Sequence, residues 1–113
     1  MKIRRVVIFG KSLVLEAVYY ILAGYSSKIE IVGRFSTDIA SLPADIQSTR
    51  QLEPDVIVCD EYEANLRIIQ EAFGCSPSIR LVQVNIIKNK ANVANEKNLP
   101  LNSSLDLFQL IVN

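Results

Sequence analysis

This chain contains no histidine and no tryptophan, and only two cysteines, four glycines and four prolines among its 113 residues. Without histidine, imidazole acid–base chemistry is excluded, and most zinc sites with it. The two cysteines, Cys59 and Cys75, match no metal-ligand spacing. Cys59 lies in an apolar run and is expected to be a small buried hydrophobe, whereas Cys75 follows a helix stop and is expected near the surface. An excess of either charge is also missing, since twelve Lys and Arg balance twelve Asp and Glu. No net positive field exists to gather nucleic acid, and no basic run does so locally. Lys88, Lys90 and Lys97 come closest, but asparagines dilute them and they are expected in a solvated turn. Long apolar runs are absent too. The longest, Leu13 to Leu22, is cut by Glu16 and is too short to cross a bilayer. The four apolar residues before Gly10 are too few for a signal-peptide core. The cytosol is therefore the expected compartment, with neither nucleic acid nor membrane as a partner.

Half of the residues are apolar. One domain spanning residues 1–113 can then bury a core without disulfide or metal staples. Arg5-Val6-Val7-Ile8-Phe9, ending at Gly10, has the pattern of a strand buried on both faces. Leu13, Val14, Ala17, Val18, Ile21 and Leu22 recur at helical spacing, with Ser12 as N-cap and Gly24 as stop. Tyr19 and Tyr20 fall off that stripe and are candidate interface anchors. A second strand is expected over Glu30–Phe35. Between Ser36 and Glu53 the pattern is weakest; Pro43 can open a short helix carrying Ile46 and Leu52. Pro54-Asp55 punctuates the chain before a third buried strand, Val56–Cys59, which ends at Asp60. A helix is expected from Glu63 to Phe73, then a strand from Arg80 to Ile87.

Ala91–Asn95 alternates small apolar and polar residues, as a half-exposed strand does. Only about three residues separate it from the preceding strand, and a parallel crossover needs about a dozen. The two are expected to form an antiparallel hairpin. Ser103-Ser104-Leu105-Asp106 resembles a capping box that opens a terminal helix carrying Leu105, Phe108 and Ile111. The fold class that follows is α/β, in three layers. It has a mostly parallel central sheet of about five strands and an antiparallel hairpin strand near the C-terminal end.

In such a sheet, ligands bind at loops following the carboxyl ends of the strands. Gly10-Lys11-Ser12 stands at one of them. A full phosphate loop needs a glycine five residues before Gly10, where Arg5 stands, and the dinucleotide fingerprint fails for want of further glycines. A tight turn at Gly10 and a cap at Ser12 account for the tripeptide, although a helix N-terminus still attracts anions. Asp60 ends the third strand beside Glu61, Tyr62 and Glu63. No other strand end offers a carboxylate, so a loop- or helix-capping role accounts for it.

Pro54-Asp55-Val56-Ile57-Val58-Cys59-Asp60 resembles the third strand of receiver domains of bacterial two-component response regulators. Val7 to Val18 resembles, without a gap, the first strand and helix of that family. The likeness covers roughly the first 87 residues. It implies a flavodoxin-like fold and places Asp60 at the phosphoacceptor position. Two departures stand out. Phe9 and Gly10 occupy the positions where receivers carry an acidic pair for magnesium, and Asn85 stands where they carry a threonine or serine. The lysine of the family's fifth strand has Lys97 as its nearest counterpart. Phosphorylation adds about two negative charges, which magnesium neutralises through oxygen ligands; Phe9 supplies none.

The resemblance thus implies a degenerate receiver: a non-catalytic regulatory module that binds a protein partner, itself included, with no metal and no cofactor, and with Asp60 inactive. The alternative is a domain that binds a small anion or nucleotide near Gly10, Lys11, Ser12, Asp60 and Asn85. An enzyme is not expected.

Overall fold

The computed structural model describes residues 3–60, 65–85, 90–93, 98–100 and 104–112. Strand β1 (Arg4–Phe9) is followed by helix α1 (Leu13–Ala23), β2 (Ile29–Phe35), α2 (Leu42–Leu52), β3 (Val56–Asp60), α3 (Leu66–Phe73) and β4 (Arg80–Asn85). Two short strands, β5 (Lys90–Val93) and β6 (Asn98–Pro100), precede α4 (Ser104–Val112). The sheet order is β2-β1-β3-β4-β5-β6.

The first four strands are parallel. Their order is consistent with a flavodoxin-like layout. The expected sheet is mostly parallel with about five strands; the parallel part found has four. Beyond it, β5 pairs antiparallel with β4, Asn85 facing Lys90 and Val82 facing Val93. β6 pairs antiparallel with β5. Only residues 86–89 separate β4 from β5, which is too short for a crossover helix and forbids a fifth parallel strand there. The turn that would make this pairing a hairpin lies outside the described residues, as do Asn95 and Lys97.

Chain direction decides which face each helix covers. Parallel crossovers are right-handed. The step from β1 to β2 runs one way along the sheet, and the steps β2 to β3 and β3 to β4 run the other way. So α1 lies on one face, and α2 and α3 lie on the opposite face. The cores follow this division. Val6, Ile8, Val56, Val58, Val82 and Val84 pack beneath α1 and α4. Val7, Phe9, Ile57, Cys59 and Leu81 pack beneath α2 and α3. Val7, Ile57 and Val58 are fully buried, as expected for strands covered on both faces. After three crossovers, β3 and β4 would still be bare on the α1 side. Leu107 and Ile111 of α4 cover them.

The doubtful region after Ser36 is more regular than its composition indicates. α2 runs through Ser48 and Thr49, with proline in its first turn. Thr49 is fully buried, but its Oγ1 donates to the Asp45 carbonyl at 2.8 Å, so the hydroxyl is satisfied within the helix. The α3 assignment begins at Leu66, later than the expected Glu63; residues 61–64 lie outside the described ones.

Arginines tie the helix ends to neighbouring elements. The last carbonyls of a helix lack partners and carry partial negative charge. Arg5 donates through Nη2 to the Leu52 carbonyl of α2 at 2.8 Å. Arg50 reaches the Ala72 carbonyl of α3 at 3.2 Å. Arg80 reaches the Leu110 carbonyl of α4 at 2.8 Å, and Arg4 reaches that of Val112 at 3.2 Å. Neither α3 nor α4 has a basic residue in its own last turn. Asp55 completes the frame: its carboxylate accepts from the Arg5 N–H at 2.9 Å, and its own N–H donates to the Arg5 carbonyl at 2.8 Å. The Pro54-Asp55 step thus aligns β3 with β1.

Candidate functional site at the carboxyl edge of the sheet

The chain reverses its winding between β1 and β3, and open α/β sheets bind ligands at the crevice this leaves at the carboxyl edge. Phe9 is in register with Cys59 across that boundary and with Phe35 on the other side. Gly10 and Asp60 are the next residues along.

Phe9 is fully buried. Its ring lies 5.5 Å from that of Phe35 and 6.3 Å from that of Phe73, both tilted, so the position is a joint in the aromatic core beneath α2 and α3. Gly10 follows with φ 127°, a conformation that residues with a Cβ rarely adopt. Its N–H donates to the Phe35 carbonyl at 2.8 Å and extends the β1–β2 pairing by one bond.

Ser12 caps α1 as expected: its Oγ accepts from the Leu15 N–H at 3.2 Å. Lys11 is exposed to solvent. Its ammonium stands 3.9 Å from the Asp38 carboxylate, and both side chains are about three-quarters exposed, so solvent screens the pair and it adds little stability. Asp38 also accepts from Ser36 Oγ at 3.2 Å.

Asp60 and Asn85 are both buried. They end neighbouring strands, with Asp60 in register with Val84. The pleat separates their side chains. Asp60 continues the Val56–Val58 alternation toward the α1 face, whereas Asn85 continues the Leu81–Gln83 alternation toward the α2–α3 face. The edge therefore gathers Gly10 and Asp60 on one side and Asn85 on the other, with Lys11 exposed beside Asp38. Glu61, Tyr62 and Glu63 lie outside the described residues.

Gln83 was not singled out from the sequence. It is buried one step before the edge, laterally paired with Cys59. The available signal was a single amide inside the apolar run from Leu81 to Val84. Cys59 is fully buried, with its thiol 3.8 Å from the Val82 carbonyl, and Cys75 is exposed. Among the described residues, no helix is long and apolar enough to cross a membrane.

Fold and site together define a class: an α/β domain with a four-stranded parallel sheet, a buried aspartate at the switch point, and an aromatic ring with a turn glycine at the end of the first strand. Comparisons with protein-family models, curated proteins and solved structures found no match to this chain.

Proposed function

We propose that this chain is a non-catalytic regulatory module built on a receiver-like, flavodoxin-type frame, working through protein contacts and not through phosphoryl transfer. The observation that carries the proposal is the end of β1. A phosphoacceptor aspartate on β3 needs carboxylates from β1 to hold the cation that neutralises the new charge. Here the first of those positions is a phenyl ring at 0% exposure, packed between two other rings. The second is a glycine whose φ of 127° disfavours any side chain. Replacing either with aspartate would break a core contact or strain the turn. Asn85 adds no charge, and the pleat sends it to the other face. The small-ligand alternative has less support, because Ser12 Oγ already accepts from Leu15 and Lys11 stands beside Asp38.

Incubation with magnesium and acetyl phosphate, followed by intact-mass measurement, is expected to leave the mass unchanged. Addition of one phosphoryl group that disappears in Asp60→Asn would overturn the proposal and return the chain to the active receivers.

A further inference from the structure

A surface helix normally shows charged or polar residues to solvent. α1 does not. Its solvent face runs through Leu13, Ala17 and Tyr20 to the C-cap Gly24, at spacings of four, three and four. Leu13 is 89% exposed and Tyr20 is 69% exposed. The helix has one charged residue, Glu16, and the Arg34 guanidinium holds it at 2.7 Å. Arg34 also lies 4.2 Å from the centre of the Tyr19 ring, which in turn meets Tyr20 edge-on at 5.5 Å. The stripe is thus uncharged, and Tyr20 is buttressed from behind.

We infer that α1 packs against α1 of a second copy of this chain, antiparallel, about a twofold axis near Ala17. This names the partner surface of the interaction module proposed above and rests on that reading.

The stripe is complementary to itself. Ala17, Tyr20, Ile21 and Gly24 occupy positions i, i+3, i+4 and i+7, which outline a hole of the kind that receives one side chain from a facing helix. Two of the four are small and leave the hole open. In an antiparallel pair crossing at Ala17, Leu13 of one copy lies opposite Ile21 of the other. Helical side chains lean toward their own N-terminus, so each Leu13 enters the hole of its partner. Ala17 at the crossing lets the axes approach to about 8 Å.

Charge points to the same occupant. A partner of either sign finds nothing on the stripe to pair with, whereas two copies bring no repulsion: Glu16 is neutralised within each, and the chain has no net charge. The edge of the sheet at β2 is a poorer contact. At β2 the register slips at Val32, between the pairs Val6–Ile31 and Val7–Gly33, and such bulges discourage strand addition. Eleven helical residues span only about 16 Å. The contact falls well below the roughly 800 Å² per partner of a tight complex, so the dimer is weak, with a dissociation constant on the order of 10 μM to 1 mM.

Sedimentation equilibrium from about 10 μM to 1 mM, chosen to bracket that constant, is expected to show the mass rising from monomer toward dimer. Leu13→Glu places a carboxylate in the hole of the partner and is expected to hold the mass at monomer. The folded monomer should tolerate it, because residue 13 is exposed and an acidic side chain suits the first turn of a helix; circular dichroism and melting check this. In a Cys75→Ser background, Ala17→Cys is expected to form an intermolecular disulfide under mild oxidation, and Ile68→Cys on the opposite face is not. A monomer throughout the range, a dimer indifferent to Leu13→Glu, or equal cross-linking at positions 17 and 68 would each overturn the inference. The phosphodonor assay is independent. A monomer that takes no phosphoryl group removes the α1 contact alone, whereas labelling at Asp60 removes the proposed function whatever the mass.

Discussion

At the end of β1, Phe9 and Gly10 meet two different demands. The ring fills the space between Phe35 and Phe73, and the glycine turns the chain through a backbone angle a side chain disfavours. Gly10→Ala is expected to lower unfolding stability by about 1–3 kcal/mol through strain at φ 127°. Urea denaturation measures this, and a loss within error of zero would mean that the turn relaxes. The roles of Gly10 and Ser12 were legible locally: a glycine followed by serine before an apolar helical stripe is a turn and a cap. The separation of Asp60 from Asn85 was not legible in the same way. It depends on which strands are neighbours and on the phase of each pleat, and one strand alone specifies neither.

Among the elements, α4 depends most on the rest of the molecule. It has no cation in its last turn, yet Arg80 from β4 and Arg4 from β1 hold its final carbonyls. Arg80→Ala removes a charge-assisted bond at a partly buried site. It is expected to cost about 1–3 kcal/mol and to speed amide exchange in α4 more than in α2. Equal acceleration in both helices would argue that Arg80 acts elsewhere. The apolar spacing of Phe108 and Ile111 announced a terminal helix. Which residues it buries was set by the sheet: Leu107 and Ile111 face the core, while Phe108 is half-buried and stacks on Tyr25 at 4.1 Å. β6 left little trace in sequence, being three residues ending in Pro100, a length and composition that only an edge position tolerates.

Across the whole molecule, β1 and β3 form the centre of the parallel part, and every residue from Val6 to Phe9 and from Val56 to Cys59 is at most 2% exposed. Their opening requires separating both cores, so their amides are expected to exchange only through global unfolding. β2 has one unpaired edge and a bulge at Val32 and is expected to exchange through smaller openings. Hydrogen exchange followed by mass spectrometry across a urea series separates the two. If β2 exchanged as slowly as β3, its edge would be covered, and strand pairing between copies would replace α1 as the explanation of any dimer.

The sequence by itself determined the local identities: apolar runs for strands buried on both faces, 3.6-residue periodicity for helices, a serine cap, and a connection after β4 too short for a crossover. These depend on neighbours along the chain and on lengths, which one sequence states directly. The tertiary structure alone decided which helices share a face, which arginines close which helix, and which side of the sheet edge each polar residue joins. Those outcomes follow from right-handed crossovers and pleat phase acting between segments tens of residues apart. The outward stripe on α1 belongs to both levels. Its residues are written in sequence, but only the packing of Leu15, Val18 and Leu22 against the sheet showed that Leu13, Ala17 and Tyr20 face outward.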